Sequence, residues 1–149
     1  MKTWIKVLII TILIGAPALP LGRIIWTPSP DANPTAAQKP FFIFLSVVEA
    51  LLLGLGVAFI IFGWKLVKNS SQQKRALTLW AYVSLAWLLV SWWPHDNLHI
   101  HNAMNMQGLL YIEYGFHMTL VIASLILTYY FIDALKSAGH FSKSRKKSA

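Results

Sequence analysis

Residues Phe41 to Val67 read FFIFLSVVEALLLGLGVAFIIFGWKLV, and only Glu49 and Lys65 in this run carry charge. A helix of a soluble protein would place polar residues at every third or fourth position, and this run has no such period. It also exceeds the roughly 20 apolar residues needed to cross a bilayer as a helix. Three further runs share its character: Trp4 to Trp26, interrupted by Pro17 and Pro20, then Ala76 to Trp93, and Leu109 to Ile132. They predict an all-α integral membrane protein, a bundle of four transmembrane helices at about residues 4–26, 41–67, 76–93 and 109–132. The expected connections are two outer loops, 27–40 and 94–108, and a basic tail, 136–149. Residues 1–149 then form one membrane domain.

Composition agrees. Hydrophobic residues make up 56% of the 149 residues and charged residues only 12%, where soluble domains carry about 25% charged residues. The net charge of +8 does not point to nucleic acid, because Lys and Arg flank the apolar runs instead of forming a stripe interleaved with aromatics. Cysteine is absent, which excludes disulfides, iron–sulfur clusters, thiolate zinc sites and thiol redox chemistry.

The flanking charges predict an orientation. Lys2 and Lys6 precede the first run, Lys65, Lys68, Lys74 and Arg75 surround the second connection, and Lys136, Lys143, Arg145, Lys146 and Lys147 follow the fourth run. Residues 27–40 contain only Lys39, and residues 94–108 contain no Lys or Arg. The positive-inside rule then puts both termini and the middle loop in the cytoplasm, in a plasma (inner) membrane. Trp26, Trp92 and Trp93 would mark the outer interface, and Trp4, Trp64, Trp80, Tyr129 and Tyr130 the inner one. A rival reading of the first run is a cleaved secretory signal, since Ala16-Pro17-Ala18 has the small-residue pattern of a cleavage site. The outer stretch Thr27 to Pro40, with four prolines, reads as a stiff connector.

Polar chemistry is concentrated near one side. Residues 94–108 hold His95, Asp96, His99 and His101, followed by Met104 and Met106. Glu113 and His117 come next, four apart on one face of the fourth run, and that face, continued through Ser124 and Thr128, is expected to point into the bundle. At 1.5 Å per residue they lie about 7 and 13 Å below its outer end, and Glu49 about 12 Å below the outer end of the second run. Four imidazoles and three carboxylates, His95, Asp96, His99, His101, Glu113, His117 and Glu49, are therefore the candidate metal ligands. If residues 94–108 are extended, His99 and His101 project to one side; if a helical turn follows Pro94, His95 and His99 align as i and i+4. Imidazole suits copper, zinc, iron or nickel, and a thioether selects copper(I), so the histidine-rich loop with its two methionines favours copper. Haem b is not expected, because Pro94 is read as ending the third helix before His95 could oppose His117.

Each feature also has a plainer reading. Polar residues inside a bundle act as packing glue, although an intramembrane ionisable group is by default functional. Glu49 shares a stripe with Gly56 and Gly63, and Ser84 with Ser91, as close-packed helix faces require. The tail cluster meets anionic headgroups, with His140 a bystander. Asn69-Ser70-Ser71 is a glycosylation sequon on the expected cytoplasmic side. The expected function is metal handling, or service as a subunit of a membrane oxidoreductase, with a copper, zinc or iron ion near the extracytoplasmic face. The alternatives are a non-catalytic accessory or assembly subunit of a larger membrane complex, and a proton or ion pathway through Glu49, Glu113 and His117. The expected partners are the lipid bilayer and other membrane subunits or further copies of the chain.

Overall fold

The computed structural model describes the backbone of residues 2–71 and 73–147, and their side chains apart from 70 and 138–147. Every described element is helical. Helix α1 is Thr3–Ile25, α2 Lys39–Ser70, α3 Arg75–Val90, α4 Trp92–Asn102, α5 Met106–Ile112 and α6 Met118–Lys147, with a π-helical segment, Glu113–His117, joining α5 to α6. Three helices are long and apolar enough to cross a membrane: α1, residues 39–69 of α2, and the continuous rod from Met106 to Ser137. The pair α3 and α4, bent by 42° at Ser91, forms a fourth candidate span. His140 and the Lys/Arg cluster of the tail lie outside the described side chains.

The core is built from small residues. Ala18, Ala50, Ala58, Ala81, Ala86 and Ala123 are buried, and Ile112 is the largest fully buried side chain. Large apolar side chains such as Leu13, Ile61, Leu125 and Phe131 point outward. A soluble protein would invert this arrangement. In lipid the surroundings are as apolar as leucine, so helices associate by close backbone packing over small residues. Gly54 shows how close: a Cβ there would collide with the Thr11 carbonyl oxygen, and one at Gly15 would stand 2.8 Å from the Ala50 carbonyl oxygen. The α1–α2 contact is therefore backbone against backbone. Gly56 faces Val90 and Leu89 of α3 at similarly short range, and Ser84 and Ser91 are buried, as the small-residue stripes predict. At Gly63 the atoms nearest to an added Cβ belong to Phe59 of its own helix.

Residues 94–108 depart from expectation. They form no loop: α4 runs through Asn102, and the chain turns only over residues 103–105 before α5 begins. Pro94 explains the difference. Its ring conflicts with the carbonyl four residues back, at Val90, so α3 stops there and the axis bends. Pro94 itself then occupies the first turn of α4, where a missing N–H costs nothing. The amide of His95 resumes the ladder by donating to the Ser91 carbonyl at 3.1 Å. Helix α4 ends at Ala103, whose φ of 43° is the one positive value at a non-glycine residue among the described residues. The Asn105 side chain then caps α5 by accepting from the Gly108 amide at 3.2 Å.

Two sets of contacts hold the ends of the bundle. At one, the segment after α1 is tied to α4 by the Ser29 amide donating to the Ile100 carbonyl at 3.1 Å. The Trp93 indole N–H also donates to the Ala18 carbonyl at 3.1 Å. At the other, the Tyr130 hydroxyl reaches Ser71 at 3.1 Å, and Ser71 reaches Thr78 at 2.8 Å, so α6 grips the α2–α3 connection.

Candidate metal centre

Helix α4 places His95 and His99 one turn apart, and the π segment brings His117 up against them from the neighbouring rod. The ring centroids of His95 and His99 are 4.6 Å apart, those of His95 and His117 4.9 Å, and those of His99 and His117 6.0 Å. One ring nitrogen from each lies within 4.8 Å of the others. Of the two conformations weighed for residues 94–108, the helical one is present, so His95 pairs with His99.

Carboxylates orient two of the three rings. His95 Nδ1 is 2.7 Å from Asp96 Oδ1, and His117 Nδ1 is 2.6 Å from Glu113 Oε2. A carboxylate oxygen accepts, so each Nδ1 carries the hydrogen and each Nε2 presents a lone pair. Those two Nε2 atoms face each other at 2.9 Å. Two lone pairs at that separation repel unless a proton or a metal cation lies between them. Glu49 of α2 completes the array by hydrogen bonding to the Asp96 carboxyl. The result is a continuous chain of polar contacts from Glu49 through Asp96, His95 and His117 to Glu113.

Aromatic rings wall this site. Trp92 meets the His95 ring edge-on at 5.7 Å, and Phe116 lies 5.6 Å from it. Phe116 in turn stacks on Trp87 of α3 at 5.9 Å. His95 is buried, whereas the His117 side chain is 40% exposed, which leaves an approach from outside the bundle. The π segment has its own support: the Trp87 indole N–H donates to the Thr119 hydroxyl at 3.0 Å, and that hydroxyl donates to the Gly115 carbonyl at 2.7 Å. A π bulge frees a carbonyl from the α ladder, and Thr119 satisfies it. Such bulges are frequent at functional sites. Trp87 and Thr119 were not singled out from sequence, and nothing in their spacing marks them.

Several predicted residues stand elsewhere. His101 lies apart from the three-histidine group, its Nδ1 bonded to the Thr27 carbonyl at 2.7 Å. Met104 and Met106 are 80% and 70% exposed. Ser124 and Thr128 are exposed, so the face expected to continue inward from His117 does not; Ala123 is buried in its place. His95 does oppose His117, against the expectation that Pro94 prevents it, because Pro94 lies in the first turn of α4. The chain matches no family model, no curated protein and no solved structure.

Proposed function

We propose that His95, His99 and His117 hold a divalent transition metal at one end of the bundle, and that the chain handles this metal or carries it as a subunit of a membrane oxidoreductase. One observation carries the reading: the Nε2 lone pairs of His95 and His117 face each other at 2.9 Å while both Nδ1 atoms are held by carboxylates. Carboxylate–histidine pairs of this kind orient metal-bound imidazoles and raise their basicity. The third imidazole favours a cation over a bare shared proton, since a proton needs only two.

The dimensions support the same reading. Tetrahedral coordination with metal–nitrogen bonds of 2.0–2.1 Å separates ligand nitrogens by about 3.3 Å. The 2.9 Å pair would open slightly, and a widest pair at 4.8 Å would close by about 1.5 Å, within reach of a side-chain rotation. Three protein ligands leave a fourth position for water or a substrate, the pattern of reactive rather than structural sites. An all-imidazole set suits zinc, iron, nickel and copper, and copper(II) binds tightest in the divalent series. By the distribution of Lys and Arg, the centre belongs to the extracytoplasmic side of a plasma membrane, with both termini cytoplasmic.

Elemental analysis tests this reading. Protein purified without chelator carries close to one equivalent of copper, zinc or iron, and His95→Ala and His117→Ala lose it while retaining wild-type helicity. A second reading rests on the unbroken chain from Glu49 to Glu113, which is also the geometry of a proton relay. It is favoured if the folded protein neither contains nor takes up metal but moves protons across proteoliposomes. Absence of both activities leaves a non-catalytic accessory subunit.

A further inference from the structure

A second site lies on the other side of α4. A cavity of about 580 Å³ is enclosed by α1, the segment following it, the outer half of α2 and α4. Its volume is within the range of small-molecule sites, about 300–1,000 Å³. Residues 39, 42, 46 and 49 of α2 follow helical spacing and line one wall. Lys39 stands at the mouth, and Glu49, ten residues on, lies about 15 Å deeper.

Arg23 of α1 reaches the same wall. Its guanidinium lies over the Phe42 ring, 5.8 Å from the centroid, and Phe42 is one turn from Lys39 on the same face. Both cations therefore line this cavity. Among the described residues neither has a carboxylate within ion-pair distance. Further along, apolar Ile43, Val47 and Trp93 share the lining with Ser46, Glu49 and Asn97. Leu19 and Ile43 are 39% and 59% exposed on the outside of the bundle, which opens the cavity laterally towards lipid. The Trp93 ring, held by its bond to Ala18, backs it.

We infer that this cavity binds an amphiphile through a phosphate group, with the phosphate between Arg23 and Lys39 and the apolar body leaving between Leu19 and Ile43. Guanidinium presents a planar fork that matches phosphate oxygens, and Lys39 adds a point charge. Two cations without carboxylate partners, beside the outward-facing apolar side chains of Leu19 and Ile43, fit neither a neutral lipid nor a cation. Glu49 borders both this cavity and the polar chain of the histidine cluster, whereas Arg23 and Lys39 belong to the cavity alone. The phosphate is supplied by a phospholipid headgroup or by a soluble phosphate ester, and the two sources bind differently.

The test is native mass spectrometry of the full chain in mild detergent. It is titrated with phosphatidylglycerol, with diacylglycerol of the same acyl chains, and with glycerol phosphate. The expected result is one saturable phosphatidylglycerol site, at least tenfold tighter than diacylglycerol. It weakens at least tenfold in Arg23→Gln/Lys39→Gln and is unchanged in Lys65→Gln/Lys68→Gln at the opposite end. Displacement of phosphatidylglycerol by equimolar glycerol phosphate overturns the amphiphile in favour of a soluble ester, and displacement only at large excess is the result expected for lipid. Because Lys39 is an exposed first-turn residue, Lys39→Gln alone preserves the fold should the double variant not fold, and it weakens binding as well. Leu19→Trp fills the cavity without altering charge and likewise reduces occupancy. Equal binding of diacylglycerol, absence of any saturable site, wild-type affinity in the Arg23 and Lys39 variants, or equal loss in the Lys65 and Lys68 variant overturns the proposal.

Discussion

Replacing Asp96 by asparagine preserves the shape of the side chain and removes the charge that accepts the His95 Nδ1 hydrogen at 2.7 Å. In the metal-bound protein this acceptor fixes the tautomer that leaves Nε2 free to coordinate. Losing such a support lowers metal affinity by about 10- to 100-fold. Burial decides where in that range each carboxylate falls. His95 is 9% exposed by side chain and Asp96 33%, so water replaces the acceptor poorly. Asp96→Asn therefore belongs near the upper end, about 2.7 kcal/mol at 1.36 kcal/mol per decade. Glu113→Gln removes the equivalent support from His117, but Glu113 is 54% exposed. Water substitutes more readily there, and the loss is about tenfold or less. Competition against a chromophoric chelator gives apparent Kd values for detergent-purified protein, with far-ultraviolet circular dichroism as the control for folding. The expected order of affinity is wild type, then Glu113→Gln, then Asp96→Asn. Wild-type affinity in Asp96→Asn, or a larger loss in Glu113→Gln, would refute the role given to the carboxylates. Acid must weaken binding in every variant. Protons compete with the metal for the three imidazoles, because a protonated imidazole nitrogen cannot coordinate.

Thr119→Val removes the hydroxyl that accepts from Trp87 and donates to the Gly115 carbonyl. Leaving these groups unpaired costs about 1–3 kcal/mol, so the thermal midpoint falls and metal affinity falls with it as the π segment loosens; unchanged values in both assays count against the support described. Ala103→Gly relieves the positive φ of 43° at the end of α4, a conformation costing an L-residue about 1–2 kcal/mol. After the entropy of glycine is set against it, a gain of about 1 kcal/mol is expected in thermal unfolding. A cysteine introduced at the exposed Met104 is expected to react with a membrane-impermeant reagent in intact cells, and one at Lys74 only after lysis. The reverse pattern would invert the orientation drawn from the positive charges.

Helix type and the number of candidate spans follow from properties each segment carries on its own. An apolar run of some 20 residues must satisfy its backbone internally wherever water is excluded, and a helix does so without a partner. That is why Phe41 to Val67 is decisive before any contact is known, and why the all-helical class and three or four spanning candidates were legible. The pairing of Glu113 with His117 was legible for the same reason, since residues four apart meet on any helix. The cluster was only partly so. Pro94 has two local meanings, the end of one helix or the first turn of the next, and the packing of α4 against α2 and α5 selects the second. That selection replaces a flexible histidine loop with a rigid pair, His95 and His99, and sends His101 to the Thr27 carbonyl. Tertiary structure alone sets His95 and His117, 22 residues apart, Nε2 to Nε2. Their distance depends on the bend at Ser91 and on the extra residue per turn that the π segment inserts, and neither is written in the spacing of polar and apolar residues. The Asp96–Glu49 contact and the cavity lined by Arg23 and Lys39 are likewise products of how α1, α2 and α4 pack. Their close approach rests on glycine and alanine, whose small side chains let three separate stretches of chain share one end of the bundle.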